Sequence, residues 1–265
     1  MRSMRSAAVA IAAFLGVAVA APGLAAERSI QEIQDCARKN LPEHSARQDL
    51  SLLVRDGAGQ EQTIEAELFW KRGDDGRSRV LVRVEAPPDL RGAAFLFIER
   101  AGDSDLFSYL PELGKVRRIT GRTVSGSLFG TDFSYEDIAR LQSLGTQVKV
   151  EKLADAQVAG RATWVLTAPI PPETGSKYQR VVTFVDQETC VPLKTELMEG
   201  PEQVRKEVVI APEQVKAEGS RFVPREIFAR DLEGSGETRL RVEKVEYDVP
   251  LSESFFSEAA LTKGH

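Results

Sequence analysis

The chain has 265 residues, with 35 Lys and Arg against 40 Asp and Glu, which gives a formal net charge of −5 at pH 7. Hydrophobic residues make up 42% of the sequence, enough to build the core of a globular protein. An acidic chain is a poor candidate for binding nucleic acid, because contacts to phosphates require an excess of basic charge. We therefore expect a globular protein with no nucleic acid among its partners.

The first 26 residues have the pattern of a secretory signal peptide. Arg2 and Arg5 form a positively charged start, an apolar run extends from Ala7 to Ala20, and small residues follow at plausible cleavage points. The apolar run is too short for a transmembrane helix, which needs about 20 such residues. Removal of residues 1–26 would leave residues 27–265 as one exported, soluble domain with a formal charge of −7.

The two cysteines, Cys36 and Cys190, are predicted to form a disulfide. An even number of cysteines in an oxidising compartment favours pairing, and closing so long a loop would stabilise the fold by roughly 2–5 kcal/mol. Two buried free thiols are the alternative, because spacing alone does not show that two residues are close in space.

Apolar and polar residues alternate over long stretches after Gln48, which is typical of half-buried antiparallel strands. Two runs, 63–72 and 78–87, show it most clearly, and Gly73–Gly76 between them is typical of a hairpin turn. The apolar side of these two runs carries Ile64, Ala66, Leu68, Trp70, Val80, Val82 and Val84. Further strand-like runs follow from Ala93 to Thr120 and from Ala162 to Tyr247, with Arg221–Ala229 as one strand.

Three segments have helical patterns. Arg28–Asn40 would form an amphipathic helix with a serine cap, and Tyr135–Leu144 follows a capping-box pattern made by Ser134 and Asp137. A third, short helix is predicted from Ser254. Many hairpin-like strands with few helices predict a mainly β, α+β fold built on one large curved antiparallel sheet. Helices must cover the concave apolar face of such a sheet, or a ligand must fill it.

Residues that commonly perform catalysis are scarce. The histidines are His44 and His265, no serine lies in a G-x-S-x-G motif, and no group of His and Cys is spaced to hold zinc. Glycine-bearing turns contain Asp74, Asp75, Asp103 and Asp105, and Asp is favoured there because its side chain bonds to the local backbone. We therefore expect a protein that is not an enzyme, with no catalytic residues, no cofactor and no metal.

The segment Gly121–Leu141, GRTVSGSLFGTDFSYEDIARL, has the glycines and hydroxyls of a phosphate-binding loop that leads into a helix. It lacks the Lys that such a loop needs after its last glycine, and Asp132 would repel a phosphate. Its apolar residues predict instead a cover for one end of the concave face. The residues of this predicted cover are Leu128, Phe129, Phe133 and Tyr135. Both a fixed plug and a moving lid fit the pattern.

A basic stretch, GKVRRITGR, stands out in the acidic chain. It contains Lys115, Arg117, Arg118 and Arg122, which could contact an anionic head group or an acidic patch on a partner. A solvated strand face is the alternative, with Val116 and Ile119 turned inward.

Several blocks of the sequence resemble the bacterial outer membrane lipoprotein-sorting protein family, which belongs to the LolA/LolB-like superfamily of periplasmic carriers. The most specific block is YLPELGKVRRITGRTVSGSLFGTDFSYEDI, and others are IQDCARKNLPE, APPDLRGAAFLF, VDQETCVPLKTEL and YDVPLSESFFSEAAL. Together they span nearly the whole of residues 27–265. The gating arginine of the LolA carrier has no match in this chain.

The resemblance implies a half-closed antiparallel β-barrel whose helices cover a hydrophobic cavity. It also implies a soluble carrier of lipids or lipid-modified proteins in a Gram-negative periplasm. Members of this branch are often associated with resistance-nodulation-division (RND) exporters, which implies an inner-membrane partner.

The function predicted on this basis is a periplasmic, non-enzymatic carrier that binds an acyl chain and passes it between envelope partners. The expected cavity lining is the apolar side of the first hairpin: Ile64, Leu68, Trp70, Val80, Val82 and Val84. Ordinary core packing is the alternative for each of these residues. The alternative function is an adaptor of an RND-type exporter that acts through protein contacts.

Overall fold

The computed structural model describes residues 28–101, 104–142, 149–234 and 236–263, with only the backbone described for residues 141 and 142. The predicted signal peptide, residues 1–26, and His265 lie outside the described residues. The fifteen strands are β1 Ser45–Arg55, β2 Glu61–Arg72, β3 Ser78–Ala86, β4 Ala94–Glu99, β5 Ser104–Leu110, β6 Lys115–Arg118, β7 Glu151–Val158, β8 Arg161–Pro169, β9 Arg180–Asp186, β10 Pro192–Met198, β11 Val204–Val209, β12 Val215–Glu218, β13 Arg221–Pro224, β14 Glu226–Asp231 and β15 Glu237–Tyr247. The three α-helices are α1 Ile30–Arg38, α2 Tyr135–Gln142 and α3 Glu258–Leu261.

Thirteen strands form one antiparallel sheet in the order β6-β5-β4-β3-β2-β1-β15-β14-β11-β10-β9-β8-β7, and β12 pairs with β13 in a separate hairpin. The chain runs from the centre of the sheet to one edge along β1–β6 and returns from the other edge along β7–β11. Strand β15 then pairs with β1 at the centre. The prediction of a mainly β fold with one large antiparallel sheet and few helices is confirmed.

Two of the differences between the predicted and the observed strands have a clear physical reason. Strand β7 lies at an edge and exposes most of its side chains, so it has no apolar side that alternation could reveal. The run Arg221–Ala229, predicted as one strand, is divided between β13 and β14 after Pro224. A proline has no N–H to donate to a neighbouring strand and often stands at a strand end.

One face of the sheet, which we call the inner face, carries a hydrophobic cluster formed by the strands on both sides of β15. The apolar side chains of β2 and β3 meet those of β10, β11 and β14 there. The opposite face is covered in part by α3, where Phe256 and Leu261 pack against Phe69, Leu81 and Leu96. The segment between β6 and β7 crosses the inner face and contributes Leu128, Phe133 and Ile138 to the cluster.

All three predicted helices are present, with different ends. Helix α1 has the predicted serine cap, and Ser29 and Glu32 form a full capping box. Helix α2 begins at Tyr135 as predicted and is described to Gln142, so the predicted end at Leu144 lies outside the described residues. The third helix does not start at Ser254: a 3-10 turn occupies Glu253–Phe255, and α3 begins at Glu258.

The loop between β8 and β9 makes a close backbone contact with the start of the segment that follows β6. Gly175 has φ +76°, and a Cβ atom built on it would lie 2.3 Å from the carbonyl carbon of Gly121. The two chain segments can therefore approach this closely only because Gly175 has no side chain.

We expect the substitution Gly175→Ala to lower the free energy of unfolding clearly more than Gly160→Ala does. Both glycines have positive φ, +76° and +78°, so both variants carry a left-handed strain of about 1–2 kcal/mol. A Cβ at Gly160 meets nothing within 4 Å, whereas a Cβ at Gly175 collides with the Gly121 backbone, which adds about 1 kcal/mol or more. Urea unfolding of both variants measures the difference, and equal losses would contradict the close contact.

Candidate functional site

A cleft of about 230 Å³ opens on the inner face between α1 and α2. Its floor is the part of the sheet formed by β8–β11, and its walls are the two helices. The residues that line it are mainly apolar. They are Ile33, Gln34, Ala37, Asp137, Arg140, Val150, Leu166, Thr167, Ala168, Pro169, Val181, Thr183, Val185, Pro192, Thr195, Leu197 and Val208. A cleft with apolar walls and few polar groups is the usual form of a small-molecule site.

The floor of the cleft is set by the strand register. Leu166, Thr183, Thr195 and Val208 are successive cross-strand partners on β8, β9, β10 and β11, so they form one row across the inner face. The adjacent row contains Ala168, Val181 and Leu197. Within these two rows the floor is therefore apolar except for the hydroxyls of Thr183 and Thr195, which are half-buried.

Helix α1 forms one wall because its apolar stripe packs on the sheet at that place. Ile33 is fully buried and lies in a cluster with Trp164, Leu166 and Val185. The disulfide between Cys36 and Cys190 ties the end of this helix to the turn that precedes β10. With Ile33 turned to the sheet and Cys36 bonded to the turn, this wall is fixed both by packing and by a covalent bond.

Helix α2 forms the other wall, and a buried ion pair holds it to the sheet. The Lys206 ammonium on β11 donates to Asp137 Oδ2 at 2.6 Å, and both side chains are at most 5% exposed. The Ser134 backbone N–H donates to the same oxygen at 2.7 Å, which completes the predicted helix cap. Arg140 donates to Glu136 at 2.7 Å, so this wall contains two acids and two bases, and its charges cancel.

Tyr178 lies beside this ion pair, buried between the sheet and the α2 wall. Its ring centroid is 5.9 Å from the Lys206 ammonium, and its hydroxyl has no hydrogen-bond partner among the described residues. Burial and the nearby charges of Asp137 and Glu136 raise the pKa of the Tyr178 hydroxyl. The phenol therefore stays neutral at physiological pH, and the wall gains no further charge.

The predicted cavity lining lies on the inner face, but on β2 and β3 rather than in the cleft. Its six residues are buried in the main hydrophobic cluster, none more than 7% exposed: Ile64, Leu68, Trp70, Val80, Val82 and Val84. They pack in the same cluster as the predicted cover. A ligand role for these six residues stays a prediction, because in this structure they are covered.

The predicted cover lies over that part of the inner face. Leu128 and Phe133 are buried in the cluster, while Phe129 and Tyr135 are half-buried at its side. The Tyr135 ring lies 5.4 Å from that of Phe95 on β4.

A polar contact also fixes the cover to β15. The Thr238 hydroxyl accepts the Asp132 N–H at 2.8 Å and donates to the Asp132 carboxylate at 2.8 Å. Burial raises the pKa of Asp132, although the bond from Thr238 opposes that shift. The cover is therefore held to the sheet by polar as well as apolar contacts, and a moving lid stays a prediction.

The basic stretch forms the edge strand β6 and the 3-10 turn Gly121–Ser125 that follows it. Its four predicted contact residues, Lys115, Arg117, Arg118 and Arg122, are exposed. Val116 is half-buried against the cluster next to α3, and Ile119 is half-buried against the cluster of the inner face. This inward orientation agrees with the alternative of a solvated strand face. Arg118 forms an ion pair with Asp105 at 2.6 Å.

Sequence reasoning did not find the cleft on β8–β11. The alternation in ATWVLTAP and YQRVVTFVD identified these segments as strands, but it did not show which part of the inner face the short α2 segment leaves open. One signal was present: Lys206, Val208 and Ile210 stand at every second position and therefore on the same side of one strand-like run. A lysine in an inward series indicates a buried partner.

Within the described residues, no group of three or more His, Cys, Asp or Glu side chains is placed to hold a metal ion. His44 lies just before β1 and contributes its carbonyl oxygen to a backbone bond with Arg72. None of the helices in the described part of the chain has the length and apolar character needed to span a membrane.

Three solved structures share this fold over 88% of the chain. A DUF1329 family protein from Desulfovibrio piger has 21% identity and a TM-score of 0.77, with 98% of its chain covered. An outer membrane lipoprotein-sorting protein domain from Vibrio parahaemolyticus, named as putative, has 24% identity and a TM-score of 0.77, with 97% covered. A LolA superfamily protein from Nitrosomonas europaea has 19% identity and a TM-score of 0.70, with 100% covered.

No curated protein matches the sequence. The model of a family described as "uncharacterized protein" matches residues 76–263, which is more than half of the chain. The chain therefore belongs to the family that this model defines, and it has the fold of the LolA superfamily and of the lipoprotein-sorting domain, which confirms the resemblance found in its sequence.

Proposed function

We propose that the protein is a non-enzymatic periplasmic carrier that holds an acyl chain of a lipid or lipoprotein in the cleft between α1 and α2. The observation that carries the proposal is the cleft itself: an open, mainly apolar cavity on the inner face of the sheet, where the helices leave β8–β11 uncovered. In this proposal the curved sheet acts as a half-closed barrel, and the cleft is the mouth of its interior.

The energetics favour such a ligand. Each buried methylene contributes about 0.8 kcal/mol, so ten methylenes would contribute roughly 8 kcal/mol before the cost of association. The floor of Leu166, Val181, Leu197 and Val208 supplies an apolar surface for the chain. The paired charges of the α2 wall present no net charge that would attract a soluble ion in its place.

Release of the cargo needs no nucleotide in this mechanism. The carrier would transfer the chain to a partner whose site is more favourable, since a ligand distributes between sites according to their relative affinities. The predicted lining on β2 and β3 would join the cavity if the cover moved away from the sheet. That step would expose a second apolar compartment next to the cleft.

The compartment proposed is the periplasm. Residues 1–26 have the pattern of an export signal, and the disulfide Cys36–Cys190 fits an oxidising compartment. The lipoprotein-sorting name of the Vibrio parahaemolyticus domain supports the same cargo class. Nothing in the described part of the chain favours the alternative of an adaptor for an RND-type exporter.

Filling the cleft should abolish acyl binding. We expect Thr195→Trp, which places an indole on the centre of the floor, to weaken binding of a polarity-sensitive fluorescent fatty acid by at least about 10-fold. Ala154→Trp is the matched control, because it adds the same indole at an exposed position on β7. Emission titrations of the two variants and the unmodified protein measure the affinities. If Thr195→Trp bound the probe as tightly as the control, the ligand would lie elsewhere.

A further inference from the structure

A second, polar cleft lies where the segment after β6 meets the loop between β8 and β9. It has a volume of about 570 Å³ and is separate from the acyl cleft in its lining residues. The 3-10 turn Gly121–Ser125 contributes Arg122 and Ser125, and the β8–β9 loop contributes Ser176 and Lys177. Its polar side chains are therefore two bases and two hydroxyls, beside Pro172, with no carboxylate among the lining residues.

The two basic groups in this cleft have one ion pair between them among the described residues, and it is a long one. Arg122 forms no ion pair with any carboxylate in the described ranges of the chain. The Lys177 ammonium lies 3.5 Å from Asp231 Oδ2, which is longer than a hydrogen bond. Both cations can therefore turn to a ligand without breaking a strong bond.

The two hydroxyls have different roles. Ser125 donates to Glu136 and accepts the Lys177 backbone N–H at 3.1 Å, so it joins the two walls and has no proton left for a ligand. Ser176 accepts the Tyr178 backbone N–H at 3.1 Å, and its own proton has no acceptor among the hydrogen bonds of the described residues. The donors available to a ligand are the Arg122 guanidinium, the Lys177 ammonium and the Ser176 hydroxyl.

The cleft is also held in shape. The Gly175 backbone touches that of Gly121, and the bond between Lys177 and Ser125 crosses from one wall to the other. Because the two backbones that carry the donors are already fixed, only the side chains of Arg122, Lys177 and Ser176 have to be ordered when a ligand binds.

We propose that this cleft binds an oxyanion of the phosphate type, held by Arg122, Lys177 and Ser176. A guanidinium matches two oxygens of a phosphate with two parallel N–H bonds, and an ammonium and a hydroxyl can contact the others. The oxyanion belongs either to a phospholipid head group or to free phosphate. This proposal does not depend on the acyl cleft or on the carrier function.

The test uses the full mature protein and two probes. Amide chemical shifts in NMR titrations report binding of inorganic phosphate, and co-flotation reports binding to phosphatidylcholine vesicles with or without phosphatidylglycerol. We expect Arg122→Gln and Lys177→Gln each to weaken binding by about 3–10-fold, and the double variant to remove it. Arg91→Gln is the matched control, because it removes an exposed charge between β3 and β4 that does not line the cleft.

The outcomes separate the two sources of the oxyanion. If the protein binds inorganic phosphate but not the vesicles, the oxyanion is a soluble anion. If it binds only vesicles that contain phosphatidylglycerol, the oxyanion is a lipid head group. In both cases the double variant must lose the binding. The proposal is overturned if neither probe binds, or if the double variant binds as tightly as the unmodified protein. It is also overturned if Arg91→Gln weakens binding as much as Arg122→Gln does, since that would show a diffuse charge effect. Thr195→Trp should leave binding of phosphate unchanged, so failure of the carrier proposal would not affect this result.

Discussion

The substitution Lys206→Met should lower the free energy of unfolding by about 3–5 kcal/mol, because it leaves the Asp137 carboxylate buried without its cation. Both side chains are at most 5% exposed, and the ammonium lies 2.6 Å from the carboxylate. Asp137 borders the cleft, but its side chain is only 3% exposed, so water is a poor replacement for the lost ammonium. Only the Ser134 backbone N–H would remain bonded to Asp137.

The double variant Asp137→Leu/Lys206→Met is the control for this prediction. Removing both charges together leaves no unpaired ion, so the double variant should lose far less stability than Lys206→Met, within about 1–2 kcal/mol of the unmodified protein. Urea unfolding of the three proteins gives the comparison. If the single variant were as stable as the double one, the pair would not be buried as the structure has it.

Loss of the disulfide is the second large effect. We expect Cys36→Ala/Cys190→Ala to lower the free energy of unfolding by about 2–5 kcal/mol, because the bond joins residues 154 positions apart and restricts the unfolded chain. The same substitutions release the end of α1, which forms one wall of the cleft between α1 and α2. Affinity for the fluorescent fatty acid should therefore fall as well, although Ile33 still packs on the sheet.

Reduction of the unmodified protein provides an independent check on the disulfide. Thermal unfolding with and without a thiol reductant should reproduce the stability difference seen with the double alanine variant. If neither the reductant nor the double alanine substitution changed the melting temperature, Cys36 and Cys190 would not be bonded in solution.

The sequence predicts the fold well because its signals are local. Alternation over residues 63–72 and 78–87 places Leu68 and Val82 on the inner face, where the structure has them as cross-strand partners. The Ser29 cap and the capping pattern before Tyr135 mark the starts of α1 and α2. Each of these signals depends on neighbours within a few residues.

The cleft was harder to predict than the fold, because its position depends on which part of the inner face the segment between β6 and β7 leaves uncovered. Alternation identifies the inner face of β8–β11 but does not show that the segment Gly121–Gln142 covers β2 and β3 and leaves Thr183 and Thr195 open. Asp137 was predicted as a helix cap, and its second bond to Lys206 is a contact between residues 69 positions apart. Such long-range contacts leave only weak marks in a single sequence.

The polar cleft shows the same limit. The sequence singled out Lys115, Arg117, Arg118 and Arg122 as one basic group, but only Arg122 lies in the cleft. Lys177 and Ser176 join it from a distant loop because Gly175 allows two backbones to touch. The residues that complete the proposed anion site, Lys177 and Ser176, therefore lie outside the basic stretch of the sequence.

The central claim is that the cleft between α1 and α2 holds an acyl chain. Native mass spectrometry with lipid extraction, on protein purified from the cells that produce it, tests it most directly. We predict that an acyl-containing lipid or lipopeptide copurifies with the unmodified protein and with Ala154→Trp, and that Thr195→Trp is free of it. Lipid-free protein in all three preparations, or equal amounts of lipid in all three, would contradict the claim.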